Sequence, residues 1–152
     1  THFGPDLELN RAMMVTILYR IAGSPAVEGT SAFTDVPADV FYTDPVIWAS
    51  SNGITTGLTA NLFAPGKSLT RQELVTFLYR FAKYMEYDVN KTTDLSAYTD
   101  FARVQPYAVE AFQWAVASGV VNGTSETTLS PENTTTRAQI CIMVSRLLTA
   151  QD

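Results

Sequence analysis

The sequence predicts an all-α fold made of tandem helix–loop–helix copies, and three observations support this prediction. A segment framed by two arginines occurs three times, as RAMMVTILYR from Arg11, RQELVTFLYR from Arg71 and RAQICIMVSR from Arg137. Within each segment the apolar residues recur at three- and four-residue steps, which is the spacing of one helix face. The loops that precede these segments are rich in Gly, Thr, Asn and Pro, a composition typical of turns.

Alignment of the sequence with itself divides it into two full copies and one half copy. The full copies are residues 33–83 and 98–149, and residues 1–23 match only the second half of a copy. Polar connectors at 24–32 and 84–97 separate them. One helix pair cannot bury its apolar face alone, so we expect the copies to pack on each other. Because the chain begins within a copy, we expect it to be a fragment of a longer protein.

The first helix of each full copy carries a tryptophan, Trp48 in one copy and Trp114 in the other, 66 residues apart. Asp44 is predicted to cap the earlier helix, because a proline follows it and suits the first helical position. We expect a glycine to end each helix, at Gly53 and Gly119. The default place for so large an apolar ring on a helix is the core. A partly buried tryptophan that also contacts a ligand is the alternative.

Each full copy opens on an aspartate and has a second glycine in the loop after the tryptophan helix. Asp35 in FTD and Asp100 in YTD are predicted to cap the opening turns. Gly57 and Gly123 lie in the turn-rich loops. They are either plain turn residues or positions where the backbone closely approaches a ligand, because glycine has no Cβ. The sequence leaves both interpretations open.

The second helix of each copy begins with an unusual residue. Thr70 and Glu73 have the spacing of a capping box, yet Arg71 lies between them in the first turn. A cation there opposes the positive end of the helix dipole at a cost of a few tenths to about 1 kcal/mol. The same placement recurs at Arg11 and Arg137. These arginines are either solvated or paired with an acidic neighbour, or they bind an anion at a helix start whose N–H groups lack partners.

Composition excludes several classes of function. The chain has 152 residues, a net charge of −5 and only ten Lys and Arg residues, so nucleic acid is not an expected partner. No apolar run approaches the roughly 20 residues that span a bilayer. The lone His2 has no neighbours at metal-ligand spacing, and we expect no metal or other cofactor. Cys141, within the apolar run ICIMV, is predicted to be buried. No nucleophile motif or phosphate-binding loop indicates an enzyme.

The order of these motifs resembles that of the S-layer homology domain family. The marks are FTDV from Phe33, the tryptophan helix, a G-[IV]-x-x-G segment, an F-x-P segment and a helix start of the TRAE type. That start reads TRQE from Thr70, TRAQ from Thr136 and NRAM from Asn10. The resemblance covers nearly the whole chain outside the connectors. It implies a pseudo-threefold helical prism with grooves between adjacent copies, the first copy being truncated in this chain.

The resemblance also implies a function. By this resemblance, the chain is expected to be a non-covalent anchor that holds a secreted protein on the bacterial surface. The usual ligand in the family is a secondary cell-wall polysaccharide. Its terminal sugar often carries a pyruvate ketal and hence a carboxylate. For this chain the resemblance implies an extracellular, non-enzymatic module that does not insert into a membrane. A protein-interaction or self-assembly module is the alternative, because the truncated copy would leave an apolar helix face that favours homo-oligomers.

The candidate ligand-binding residues follow from the motifs and the resemblance together. A guanidinium group at a helix start would bind a carboxylate bidentately, and a tryptophan would offer an apolar face to a sugar ring. We therefore predict ligand contacts from three arginines, two tryptophans, two glycines and two aspartates: Arg11, Arg71, Arg137, Trp48, Trp114, Gly57, Gly123, Asp35 and Asp100. For the aspartates, the structural role of a cap competes with this prediction.

Overall fold

A computed structural model describes residues 8–151 of the chain. This range contains five α-helices and one turn of 3₁₀ helix at Phe101–Arg103: α1 (Arg11–Ile21), α2 (Thr43–Ser51), α3 (Arg71–Tyr84), α4 (Pro106–Ala117) and α5 (Arg137–Thr149). Pairing of extended backbone within it is limited to isolated bridges, such as the one between Thr70 and Thr134. The predicted all-α class is therefore confirmed. The start of the predicted half copy, including His2, lies outside the described residues.

The chain divides into two compact units, and each unit combines parts of two sequence copies. One unit is Leu9–Ser68, and the described residues of the other are 8 and 69–151. In the first unit α1 packs against α2, and in the second α3 packs against α4. The helix that begins with an arginine (the arginine helix) is thus covered by the tryptophan helix of the following copy. The prism arrangement implied by the family resemblance stays a prediction.

The amphipathic pattern of α3 and its start are confirmed. Its predicted apolar face is buried, with Leu74 and Leu78 fully inaccessible to solvent. The Thr70 hydroxyl accepts a hydrogen bond from the Glu73 amide, and the Glu73 carboxylate accepts one from the Thr70 amide. This capping box satisfies two N–H groups that the helix itself leaves without partners. At the start of α1, the side chain of Asn10 accepts a hydrogen bond in the same way.

The tryptophan helices end as predicted, but the earlier one begins differently. Gly53 and Gly119 follow the last turns with φ angles of 74° and 77°, the left-handed conformation that glycine favours. The prediction that Asp44 caps α2 is wrong, because the helix already begins at Thr43. The Thr43 hydroxyl donates to the Pro37 carbonyl at 2.7 Å, which ties the helix start to the preceding turn.

The prediction that Cys141 is buried is also wrong, since its side chain is exposed. The buried residues of α5 are Ile140, Met143 and Leu147. These positions form one stripe at the helical period, and residue 141 lies about 100° around the helix axis from residue 140. A position within an apolar run of the sequence therefore does not show that the residue is buried.

Candidate functional site

The aspartate that opens each copy holds a distant loop. The Asp35 carboxylate accepts hydrogen bonds from the Phe63 amide at 2.9 Å and the Ala64 amide at 2.8 Å. Asp100 makes the equivalent pair of bonds one copy later, both at 2.8 Å. The prediction that these aspartates cap their own opening turns is therefore wrong. Their partners are amides of the loop that precedes the arginine helix, where the turn leaves N–H groups without backbone partners.

Arg11 and Arg71 bind the carbonyl groups of the same loops. The Arg11 Nε donates to the Phe63 carbonyl at 2.8 Å. The Arg71 Nε donates to the Leu129 carbonyl at 2.8 Å, and its Nη2 donates to the Asn122 carbonyl at 2.8 Å. The two arginine residues are only 5% and 4% exposed. Each loop is thus held between an aspartate on its amides and an arginine on its carbonyls, an arrangement that we call the Arg–Asp clamp.

The first backbone amides of α1 and α3 also have partners within the protein. Arg71 N donates to the Asn133 carbonyl at 2.8 Å, and Gln72 N donates to the Pro131 carbonyl at 3.0 Å. Arg11 N makes the equivalent bond to the Lys67 carbonyl at 3.0 Å. The expectation that these helix starts offer N–H groups without partners is therefore wrong for α1 and α3. The loop of the following copy supplies carbonyl oxygens to them instead.

Arg71 remains a buried positive charge in contact with neutral groups. Its direct hydrogen-bond acceptors in the described part of the chain are carbonyl oxygens. Burial lowers the pKa of the Arg71 guanidinium, and the nearby negative charge of Asp100 partly offsets this effect. An arginine pKa lies so far above neutrality that the group stays protonated. Arg137, at the start of α5, is half-buried and thus more accessible than Arg71.

The loop glycines are required by the packing of their own loops. At Gly57 a Cβ atom would overlap the Phe33 ring and would lie 2.6 Å from the Thr59 carbonyl oxygen. At Gly123 it would lie 2.5 Å from the carbonyl oxygens of both Ser125 and Thr128. These contacts explain why glycine, which has no Cβ atom, occupies both positions. Close approach to a ligand by this backbone stays a prediction.

Both tryptophans are buried between paired helices. Trp48 and Trp114 are each 2% exposed. The ring of Trp48 lies 5.6 Å from that of Tyr19, and the ring of Trp114 lies 5.5 Å from that of Tyr79, measured between centroids. Aromatic pairs at this separation stabilise the packing of the helices that carry them. In this conformation the indole faces are covered by protein.

Each helix pair also forms a groove. The groove between α3 and α4 has a volume of about 660 Å³ and includes Tyr79, Lys83 and Glu110. The groove between α1 and α2 has a volume of about 500 Å³ and includes Tyr19 and Asp44. Each is also lined by the connector that follows its arginine helix. The first arginine of each helix does not line either groove.

The tyrosines of the two grooves make different hydrogen bonds. The Tyr79 hydroxyl donates to Glu110 Oε1 at 2.8 Å, whereas the Tyr19 hydroxyl donates to the Pro25 carbonyl at 2.6 Å. Burial, reinforced by the hydrogen bond and the charge of Glu110, raises the pKa of Tyr79 to about 12. Burial and the charge of Asp44 raise the pKa of Tyr19 as well. Both tyrosines therefore remain neutral hydrogen-bond donors at physiological pH.

The sequence analysis did not select the charged residues that line the grooves. Lys83 lies with its Nζ 4.3 Å from the centre of the Tyr79 ring, a cation–π contact. Lys91 lines the same groove from the connector. Neither lysine recurs in the other copies, so a search for repeated residues passes over them. The sequence contained one indication of where the grooves lie: Tyr19 and Tyr79 occupy matched positions in their copies, and each lines a groove.

Residues 8–151 show neither a metal-binding cluster nor a membrane-spanning helix. No group of three His, Cys, Asp or Glu side chains in this range could hold a metal ion. None of its helices is long and apolar enough to cross a bilayer.

Repeated helix pairs, each with its own Arg–Asp clamp, define a modular, repeat-built domain. The family model of the S-layer homology domain matches residues 32–75 and 97–141. The chain therefore belongs to the S-layer homology domain family, as the motif order predicted. Domains of this family occur in S-layer proteins and are non-catalytic modules for anchoring at the cell surface.

The chain is similar to parts of several longer curated proteins. It is 33% identical over 150 residues to a surface-layer 125 kDa protein of Lysinibacillus sphaericus, covering 97% of this chain and 12% of that protein. It is 32% identical over 102 residues to the S-layer protein sap of Bacillus anthracis, covering 66% of this chain and 12% of that protein. An endoglucanase of Bacillus sp. (strain KSM-635) is 26% identical over 148 residues, which is 97% of this chain and 16% of the enzyme. The chain thus spans less than a fifth of the length of these relatives.

Proposed function

We propose that this domain anchors a longer protein to the bacterial cell wall by binding an anionic secondary cell-wall polysaccharide in the grooves between copies. The observation that carries the proposal is the pair of lysines, Lys83 and Lys91, that line the groove between α3 and α4 beside one carboxylate, that of Glu110. Charges that line a concave site raise the local concentration of ligands of opposite charge. The second unit of the domain therefore favours a ligand that carries negative charge.

The predicted site residues contribute in different ways under this proposal. Arg11 and Arg71 are held by loop carbonyls, so they act chiefly by shaping the loops and by adding positive potential. Arg137 lines neither groove, but it is half-buried and is the one of the three that is accessible enough to bind a further carboxylate of the polymer outside the grooves. Asp35 and Asp100 act as loop supports rather than as ligand contacts.

The buried tryptophans and the loop glycines support the same grooves. Trp114 lines the α3–α4 groove but is covered by protein, so it fixes the groove wall through Tyr79. Trp48 has the equivalent contact with Tyr19. Gly57 and Gly123 allow the tight loops that the clamps hold. A pyruvate ketal on a terminal sugar would supply the carboxylate, and the domain would act outside the cell.

Sedimentation with purified cell-wall sacculi tests this proposal. We expect the domain to sediment with native sacculi and to remain in solution after the secondary polymer has been removed chemically. The Arg137→Ala variant should bind native sacculi roughly ten- to a hundredfold more weakly, because a hydrogen-bonded charge pair contributes about 1.5–3 kcal/mol. Arg146→Ala, at an exposed position of the same helix, is the matched control. Equal binding to native and stripped sacculi would contradict the proposal.

Self-association is a second candidate function, and the exposed face of α5 favours it. Ile142 is 51% exposed, whereas Thr76 at the same position of α3 is 6% exposed. Cys141 is also exposed, whereas its counterpart Val75 is fully buried. A face that is buried on α3 is thus open on α5. Light scattering over a concentration series tests this candidate: a molar mass that rises with concentration and becomes constant in Ile142→Glu supports it, and a strict monomer contradicts it.

A further inference from the structure

We propose that the groove between α3 and α4 binds the carboxylated sugar of the polymer, and that the groove between α1 and α2 does not. This inference rests on the proposed function and makes it more specific. The two grooves occupy equivalent places in their helix pairs, so the family membership alone does not distinguish them. Their side chains do, because the two grooves carry opposite charge.

The charged residues that line the grooves set this difference. The α3–α4 groove contains two lysines, Lys83 and Lys91, and one carboxylate, that of Glu110. The α1–α2 groove contains one cation, Arg20, and two carboxylates. Those carboxylates belong to Asp39 and Asp44. An anionic sugar is therefore attracted to the α3–α4 groove and repelled from the α1–α2 groove, since charges that line a concave site focus its field.

Contacts within the α3–α4 groove hold one of its cations in place. Lys83 Nζ lies 4.3 Å from the centre of the Tyr79 ring, which restricts a side chain that is flexible in solution. The Tyr79 ring is itself held by the 2.8 Å bond to Glu110 and by its contact with Trp114. A cation held in this way loses less conformational entropy when it binds an anion.

The same groove offers neutral polar groups for the rest of a sugar. Asn90 and Thr92 line it from the connector, and Gln113 lines it from α4. Their amide and hydroxyl groups can donate and accept hydrogen bonds, as recognition of sugar hydroxyls requires. Two cations for a carboxylate and three neutral polar side chains for hydroxyls together match a carboxylated sugar.

The equivalent cation is absent from the α1–α2 groove. The residue that corresponds to Lys83, 60 positions earlier, is Gly23, which lies just after the end of α1. The counterpart of Glu110 is Asp44, 66 positions earlier, so the acidic group is present in both grooves. The α1–α2 groove is also lined by apolar side chains, including Phe41, whose side chain is largely exposed. This groove therefore has the equivalent acid without a counterpart of Lys83.

Nuclear magnetic resonance titration of the whole chain tests the assignment. The probe is a monosaccharide that carries a pyruvate ketal, and its methyl ester is the neutral control probe. We expect the acid to shift the backbone amides of Lys83, Asn90 and Lys91, and the ester to bind roughly tenfold more weakly. Amides of the α1–α2 groove, such as those of Asp39 and Asp44, should stay unchanged.

Lysine-to-glutamine variants complete the test. Lys83→Gln and Lys91→Gln together should weaken binding of the acid roughly tenfold, while Lys67→Gln removes a lysine that lines neither groove and should leave binding unchanged. All variants should keep the melting temperature of the parent chain, because these lysines are exposed.

The outcomes separate this inference from the proposed function. If the domain binds native sacculi selectively but the acid shifts amides of the α1–α2 groove, or shifts none, the groove assignment is overturned and the anchoring function stands. Equal affinity of the double variant and Lys67→Gln for the acid would overturn the assignment as well. If the domain does not distinguish native from stripped sacculi, the proposed function fails and the assignment fails with it.

Discussion

The α1–α2 unit and the α3–α4 unit share a framework and differ in their grooves. Each has a buried arginine that donates to a loop carbonyl, an aspartate that accepts from two loop amides, and a tyrosine packed on a tryptophan. Their grooves, in contrast, carry an excess of acidic groups in one unit and of basic groups in the other. Residues that recur between the units therefore maintain the fold, and residues that do not recur distinguish the chemistry of the grooves.

Removal of the aspartate should have the largest effect on both units. Asp100→Ala leaves two loop amides without acceptors, and we expect a loss of about 2–3 kcal/mol in the free energy of unfolding. Asp35→Ala should cost a similar amount, because its two bonds have nearly the same lengths. Urea denaturation followed by circular dichroism measures this, with Glu28→Ala, at an exposed position of the first connector, as the control. A large cost in one unit alone would show that the framework is not shared.

Removal of the arginine should have the next largest effect. Arg71→Ala removes the donors to the Leu129 and Asn122 carbonyls, and we expect it to lower the free energy of unfolding by about 2 kcal/mol. The sequence analysis had predicted a ligand contact for Arg71 instead of this structural role. Arg71→Lys should recover only part of the loss, since an ammonium group cannot reproduce the fixed geometry of Nε and Nη2. Unchanged denaturation curves for Arg71→Ala would refute the structural role of the clamp.

Reversal of the groove charge should have a moderate effect. Asp39→Asn with Asp44→Asn removes both carboxylates from the α1–α2 groove and leaves Arg20 as its charged group. Asparagine tolerates the positive φ of 67° at position 39, so we expect the fold to be retained. Calorimetric titration with the pyruvate-bearing sugar should reveal a second, weaker binding site. A stoichiometry that stays at one would indicate that shape, not charge, separates the grooves.

Titration of Tyr79 should have the smallest effect. Its pKa is raised from 10.0 to about 12 in the folded chain, so the folded state holds this proton more tightly than the unfolded state. The interaction therefore contributes stability that is fully present below pH 10 and is lost as the pH rises from 10 to about 12. Ultraviolet absorbance of phenolate follows the titration, and Tyr79→Phe should remove its late component. A late component that persists in Tyr79→Phe would assign it to another tyrosine.

Features that depend on neighbouring residues were predictable from the sequence. The buried face of α3, its capping box and the glycines that end α2 and α4 follow from helical spacing and from backbone hydrogen bonding within one or two turns. The prediction for Cys141 failed because an apolar run does not fix which side of a helix faces the core.

Features that depend on distant partners were not predictable. The acceptor role of Asp35 involves amides 28 and 29 residues away, and a sequence does not show which loop will lie beside an aspartate. The arginines were correctly selected as unusual, since a cation opposes the dipole at a helix start. Their carbonyl partners belong to the following copy and appear only when the chain is folded. Lys83 and Lys91 gave no signal because they do not recur.

A crystal structure of this chain with the pyruvate-bearing sugar would test the central claim most directly. We predict that the sugar carboxylate lies within hydrogen-bond distance of Lys83 Nζ or Lys91 Nζ, and that Arg71 keeps its bonds to the Leu129 and Asn122 carbonyls. A carboxylate bound to Arg71 in place of these carbonyls would contradict the division between framework and groove residues.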